Sequence, residues 1–176
     1  MKKIILVLFA VLTIFVVKSN VQDNVVIPEG SIRLRVIPNS NSNYDQMMKI
    51  KVKDYLESNI YSLFKDTDNI DDARELINDN IDNIKINIQD IFDKYDYNYN
   101  FSVNYGDNYF PKKIYKGVTY DDGYYESLVV SIGSAKGDNF WCVLFPNLCI
   151  IDEEDTEYTS IVKDVIDKIF SHKNNN

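Results

Sequence analysis

Residues 69–105 read NIDDARELINDNIDNIKINIQDIFDKYDYNYNFSVNY, and a change of period within them decides the fold. Ile70, Ala73, Ile77, Ile81, Ile84, Ile88, Ile91 and Tyr95 recur every three or four positions, the apolar stripe of an amphipathic helix. Asp71 and Asp72 fall in the first turn, where carboxylates complement the helix macrodipole. From Tyr97 the period drops to two. Tyr97, Tyr99, Phe101, Val103 and Tyr105 alternate with polar residues, as on a half-buried strand.

Outward from this stretch the same two periods recur. Ile32, Leu34 and Val36 alternate with Arg33 and Arg35, which predicts a strand. A turn cluster from Pro38 to Asn43 follows, with Asn43 and Gln46 spaced as a capping box. Met48, Val52, Tyr55, Leu56, Ile60 and Leu63 then mark a first helix. The joint Asp66-Thr67-Asp68 is short enough to make the two helices antiparallel neighbours. Either stripe can serve as a partner-binding face, but the ordinary role of such a stripe is core.

After Tyr105, Gly106-Asp107-Asn108 reads as a turn, and Tyr109–Val118 as edge-like or irregular because it holds Pro111. Asp121-Asp122-Gly123 is a second turn before a strand with Leu128, Val130 and Ile132 on one face. Gly133 to Asp138 reads as a flexible polar loop. Tyr158, Ile161, Val162, Val165, Ile166 and Ile169 predict a C-terminal amphipathic helix before a disordered tail. The expected fold is α+β: a two-layer arrangement of an antiparallel β-sheet on two antiparallel helices, plus that C-terminal helix.

The N-terminus sets the compartment. Lys2-Lys3 precede 14 residues, Ile4 to Val17, that are apolar except for Thr13. As a helix these reach about 21 Å, short of a hydrocarbon core of about 30 Å. This is the pattern of a secretory signal, with cleavage expected after Ser19; an uncleaved anchor is the alternative, and either carries the remainder across a membrane. The expected organisation is a signal at 1–19, a linker at 20–30, a domain at 31–152, and a helix with tail at 153–176. Net charge is −8, and losing residues 1–19 with their three lysines makes it three units more negative. No basic patch in the sequence offsets this, which argues against nucleic-acid partners.

Catalytic apparatus is hard to assemble from these residues. The one histidine, His172, sits five residues from the C-terminus in a polar tail, a poor place for a positioned base. Phosphate-cradling glycine motifs are missing, and two cysteines seven positions apart lack zinc-ligand spacing. Asp121-Asp122 and Asp152-Glu153-Glu154-Asp155 are the obvious carboxylate clusters, and a solvated acidic turn is the ordinary reading of each. No catalytic role, cofactor, metal or small-molecule substrate is therefore expected.

The only tryptophan and both cysteines lie within Asn139-Phe140-Trp141-Cys142-Val143-Leu144-Phe145-Pro146-Asn147-Leu148-Cys149. A turn at Phe145-Pro146 would set Cys142 opposite Cys149 on a hairpin, suited to a disulfide in an oxidising compartment. Buried free thiols acting as small hydrophobes are the alternative. Strict alternation sends neighbours to opposite faces, so not all of Phe140, Val143, Leu144 and Phe145 can enter one core. Core packing and a recognition surface both remain open for these aromatics.

This cysteine block resembles the N-W-W-C-V-L-F-P-P-L-C signature of the stage II sporulation protein R family. Phe140 stands for the first tryptophan and Asn147 for the second proline. Ile32 to Ser42 is similar to that family's I-R-L-x-V-I-A-N-S-D-S opening, with Pro38 for the alanine. Phe110-Pro111-Lys112-Lys113-Ile114-Tyr115 and Gly123 to Leu128 resemble its F-P-x-K-x-Y and G-x-Y-x-A-L region. The resemblance implies a forespore product exported into the space between the forespore and mother-cell membranes. There it would activate a membrane-embedded aspartic-type protease, from the extracytoplasmic side, leading to maturation of a sigma factor. Expected contact residues are Phe140, Trp141, Phe145 and Pro146, with Arg33 and Arg35 secondary. The competing readings are a cell-wall hydrolase using Asp121, Asp122 or Asp152, and an extracellular adhesion domain.

Overall fold

A computed structural model of the chain describes residues 25–26 and 30–149, apart from 66, 68, 116, 117, 147 and 148. The order is β1 (Val25–Val26), β2 (Ile32–Ile37), α1 (Asn43–Phe64), α2 (Ile70–Lys94), β3 (Phe101–Phe110), β4 (Lys113–Tyr115), β5 (Val118–Tyr120), β6 (Gly123–Ile132) and β7 (Phe140–Phe145). Four strands form a sheet in the order β3-β6-β2-β7, and β1-β5-β4 form a small second one. The fold is α+β. Signal segment, most of the linker and the expected C-terminal helix lie outside the described residues. Among the described residues no helix is long and apolar enough to cross a membrane.

The main sheet is mixed, which corrects the antiparallel expectation. β2 runs antiparallel to β7 but parallel to β6, with Arg33 opposite Ser127 and Ile37 opposite Ser131. Parallel neighbours need a long crossover, and here both helices and β3 to β5 lie between them. An alternating strand shows which residues face inward, not which way its neighbour runs.

β3 corrects the turn expected at Gly106-Asp107-Asn108. It pairs with β6 without a break, from Phe101 opposite Ile132 to Phe110 opposite Gly123. Gly106 takes φ 143° inside the strand, open to a residue without Cβ. Asn108 Nδ2 donates to the Ser127 carbonyl and Oγ, at 3.3 and 3.0 Å, which binds it across the ladder. The strand also begins later than Tyr97, whose ring packs edge-on against Phe92 at 4.9 Å.

Helix ends follow from local chemistry. Asn69 Oδ1 accepts from the Asp72 N–H at 2.9 Å and starts α2 where the acidic first turn predicted. At α1 the cap is Ser42 rather than Asn43: its Oγ accepts from the Asp45 N–H at 3.1 Å. One core then gathers Leu34 and Val36 of β2, Val52 and Leu56 of α1, Ile84 and Ile88 of α2, and Leu128 and Val130 of β6. Each such side chain stabilises the fold by about 1.5–3 kcal/mol when fully buried.

Candidate functional site

β7 shows how the aromatic run is sorted. Opposite β2, Ile32 pairs with Phe145 and Arg33 with Val143, so Leu144 is an extra residue, a β-bulge. The bulge breaks alternation, and Leu144 and Phe145 both enter the core. Phe145 is 3% exposed and packs edge-on against Phe64 at 6.4 Å. Pro146 is buried behind it. Cys142 and Cys149 form a disulfide with Cα atoms 5.4 Å apart. β7 ladders with β2, Pro146 and Cys149 lie in turns, and most of the second arm of the expected hairpin falls outside the described residues.

The other face of β2 carries a stack of cations and rings. Arg33, 1% exposed, sets its guanidinium 3.3 Å from the Tyr125 ring centroid and 5.6 Å from that of Phe110. Guanidinium is weakly hydrated and planar, so aromatic faces can house it where an ammonium would be costly. Phe110 meets Trp141 edge-on at 5.0 Å and Tyr125 at 6.2 Å. Arg35 lies 4.4 Å over the Trp141 ring and Lys113 5.4 Å from it. All three signature blocks therefore meet here: Arg33 and Arg35 from the first, Phe110, Lys113 and Tyr125 from the second, Trp141 from the third.

Of the residues expected to contact a partner, Trp141 and Arg35 are half-buried at the rim, with Arg33 buried on the same face. Half-buried Phe140 and buried Phe145 instead pack against the main core on the opposite face of β7, and Pro146 is buried after it. Phe140 has the Lys53 ammonium 5.4 Å from its ring, and Lys53 also pairs with Glu57 at 2.9 Å. Asn139 orients Arg35 when its amide is turned so that the oxygen faces the guanidinium: that oxygen then accepts from Nη2 and Nε at 2.7 and 3.0 Å, and the nitrogen donates to the Gly137 carbonyl at 2.8 Å. Burial lowers the Arg35 pKa from its ordinary value.

The loop 133–139 is clasped to the turn after β2, not flexible as expected. Asn39 Oδ1 accepts from the Ser134 N–H at 2.9 Å, and the Asn39 carbonyl accepts from Ser134 Oγ at 2.9 Å and the Lys136 N–H at 3.2 Å. Asn41 Oδ1 accepts from the Asp138 N–H at 2.6 Å. Lys49 Nζ donates to the Asp138 carbonyl at 2.9 Å, tying α1 to the same loop. The N-S-x-S spacing of residues 39–42 was the available sign, since these side chains bond nearby backbone readily.

Beneath the clasp sits Asp45, 4% exposed, part of the first family-like block but given no role by the sequence. Burial opposes its ionisation, but hydrogen bonds from Ser40, Tyr97, Asn39 and Ser42 outweigh that and hold the carboxyl below its usual pKa. Tyr97 Oη donates to it at 2.6 Å, and burial with that bond pushes the phenol well up. A depressed carboxyl stabilises the fold above the unfolded value near about 3.9, and that contribution drains as pH falls through the lower folded value. Tyr97→Phe keeps the ring packing and removes the bond to a charge. Its expected cost in urea unfolding at pH 7 is about 2 kcal/mol. The difference from the parent should shrink as pH falls through the folded Asp45 value, where protonation leaves only a neutral hydrogen bond; a difference unchanged by acid up to the onset of acid unfolding would remove the Asp45 charge from the account.

A second carboxylate ties helix to sheet. Arg74 Nε and Nη2 donate to Glu126 at 3.0 and 2.8 Å, and Tyr105 Oη donates to the same carboxylate at 2.6 Å. The Arg74 bonds, against the opposing effect of burial, lower the Glu126 pKa. Asp121 pairs with Lys112 at 2.9 Å, each about half exposed, and Asp122 lines an open hollow beside Asp107 and Tyr124. Asp152 lies outside the described residues. Among those described, no three His, Cys, Asp or Glu side chains are grouped to hold a metal ion.

No solved structure matches the chain. A curated relative, "Stage II sporulation protein R" of Bacillus subtilis (strain 168), is 37% identical over 149 residues. The match covers 85% of this chain and 65% of the relative, so the chain spans less than two thirds of that protein's length. The family model for stage II sporulation protein R matches residues 28–155, which include the clasp, the disulfide and the whole cation–aromatic stack. The chain belongs to the stage II sporulation protein R family.

Proposed function

We propose that this protein is a secreted intercellular signal of sporulation. In this reading it acts in the space between the forespore and mother-cell membranes. It binds the extracytoplasmic face of a membrane-embedded aspartic-type protease, which then matures a sigma factor. The carrying observation is that the three family blocks, far apart in sequence, converge on one surface with Trp141 at its rim. Trp141 and Arg35 are the contact residues on that surface, with Arg33 buried beside them; Phe140 is a contact residue at the opposite face of β7, where Phe145 anchors the strand in the core.

An activator shifts its target only through tighter binding to the active form. Turning a protease from about 1% active to about 99% active takes about 10⁴-fold preference. The test mixes purified protein with membranes holding the protease and its sigma-factor substrate. Cleavage should appear with the protein present and fall at least about tenfold with Trp141→Ala, on the scale of an interface anchor. Unchanged cleavage with and without the protein ends the activator reading.

A further inference from the structure

We propose that the rim around Trp141 recognises an acidic segment of a protein partner, seating a carboxylate against the Arg35 and Lys113 cations beside the indole. Calling that partner the protease rests on the function proposed above; the acidic chemistry does not. The chain as a whole is acidic, at −8, so most of its surface repels an acidic segment. Cations nevertheless gather at this corner. Arg35 and Lys113 lie 4.4 and 5.4 Å from the Trp141 ring, and Lys49 is anchored to the adjoining loop through the Asp138 carbonyl. Burial lowers the Lys49 and Lys113 pKa values, and Lys113 lowers that of Lys49 further. Asp138 is the acid that opposes both.

Arg35 makes the strongest case. Among the described residues its hydrogen-bond partners are the Asn139 amide, with its oxygen turned to the guanidinium, and the Tyr109 carbonyl, both neutral dipoles. The guanidinium is thus aimed by its neighbours without its charge being cancelled. A carboxylate arriving beside Trp141 would complete the fork-shaped pairing that guanidinium favours, while an apolar neighbour rests on the indole. On the opposite face of β7 the setting differs, since Lys53 of α1, beside Phe140, pairs with Glu57 at 2.9 Å. Charge complementarity therefore selects both the partner's sign and the place it lands.

Trp141 is the only tryptophan, so its fluorescence reports on this rim alone. The full chain is titrated with a synthetic peptide built around Glu-Leu-Glu, beside a Gln-Leu-Gln twin. The glutamate peptide should shift Trp141 emission, and the response should weaken as salt shortens the Debye length from about 10 to about 3 Å. Lys113→Glu should weaken it about tenfold and Lys113→Gln less, with near-ultraviolet circular dichroism showing that both stay folded. Equal responses to the twin peptides overturn the proposal. So does a response to vesicles of anionic lipid but not to peptide, which would make the surface a membrane contact. A response that appears only after D152N/E153Q/E154Q/D155N would give the rim to the chain's own acidic run, and also overturns it. The titration contains no protease, so it stands or falls separately from the cleavage assay. Cleavage without peptide binding removes the carboxylate and keeps the activator; peptide binding without cleavage does the reverse.

Discussion

Gly137→Ala should cost the domain about 3 kcal/mol, more than the usual overpacking by one methyl group. A Cβ at this position would lie 2.2 Å from the Ser40 carbonyl oxygen, 2.6 Å from its carbon and 2.7 Å from Pro38 Cγ. Two of those atoms are backbone, so no rotamer change relieves the contact. Nor can the turn retreat freely. The Gly137 N–H donates to the Pro38 carbonyl at 3.1 Å, and Lys136 and Asp138 are bonded to Asn39 and Asn41 on either side. The methyl group therefore opens the clasp, and each hydrogen bond lost adds about 1 kcal/mol to the strain. For a domain of this size the melting temperature should fall by about 10 °C. Gly133→Ala is a useful companion, because it acts by a different route: φ is 56° there, and the new Cβ meets the Asn39 side chain. A Gly137→Ala protein melting within about 1 °C of the parent would show that the two loops separate at no cost.

Opening the Cys142–Cys149 disulfide should cost about 2–3 kcal/mol, on the chain-entropy estimate for a closed loop whose ends are seven positions apart. Cys142 lies on the core face of β7, and Cys149 packs against the same cluster. Reduction therefore releases Cys149 from the cluster that also holds Phe145. Cys142→Ala, Cys149→Ala and the double variant should unfold at similar urea concentrations, about 1–2 M below the oxidised parent. Reductant should move the parent to the same place and leave the variants unmoved. Coincident midpoints for oxidised and reduced parent would mean the crosslink adds nothing to stability.

How far the sequence could be read depended on whether a feature was local. α2 was legible throughout, because an Asn cap, an acidic first turn and a stripe of isoleucines all lie within one segment. The inward faces of β2 and β6 were legible for the same reason. The parallel pairing of those two strands was not, since neither carries a mark of its partner's direction. Gly106-Asp107-Asn108 misled because its residue types suit a turn equally well; ten continuous pairs with β6 outweighed that local preference. At the site, the blocks around Arg35 and Trp141 could be picked out, but the bulge at Leu144 could not. It is the bulge that takes Phe145 inside, while Trp141 lies on the other face through its regular pairing with Arg35. Asp45 and Tyr97 were missed because their bond spans 52 positions, and nothing near either residue announces the other.

The placement of β2 bears on when this domain can form. Both strands that flank it arrive about 90 to 110 positions later, as the pairs Arg33–Ser127 and Arg35–Trp141 show. A central strand with no early neighbour cannot be laid down as the chain emerges, and closing such long loops slows folding. The helices can condense locally, but the sheet must wait for the last strand. For a chain that crosses a membrane, as we propose, that delay is useful: a thread without its sheet stays thin enough to pass. The surface around Trp141 would then exist only on the far side, assembled after the passage it depends on.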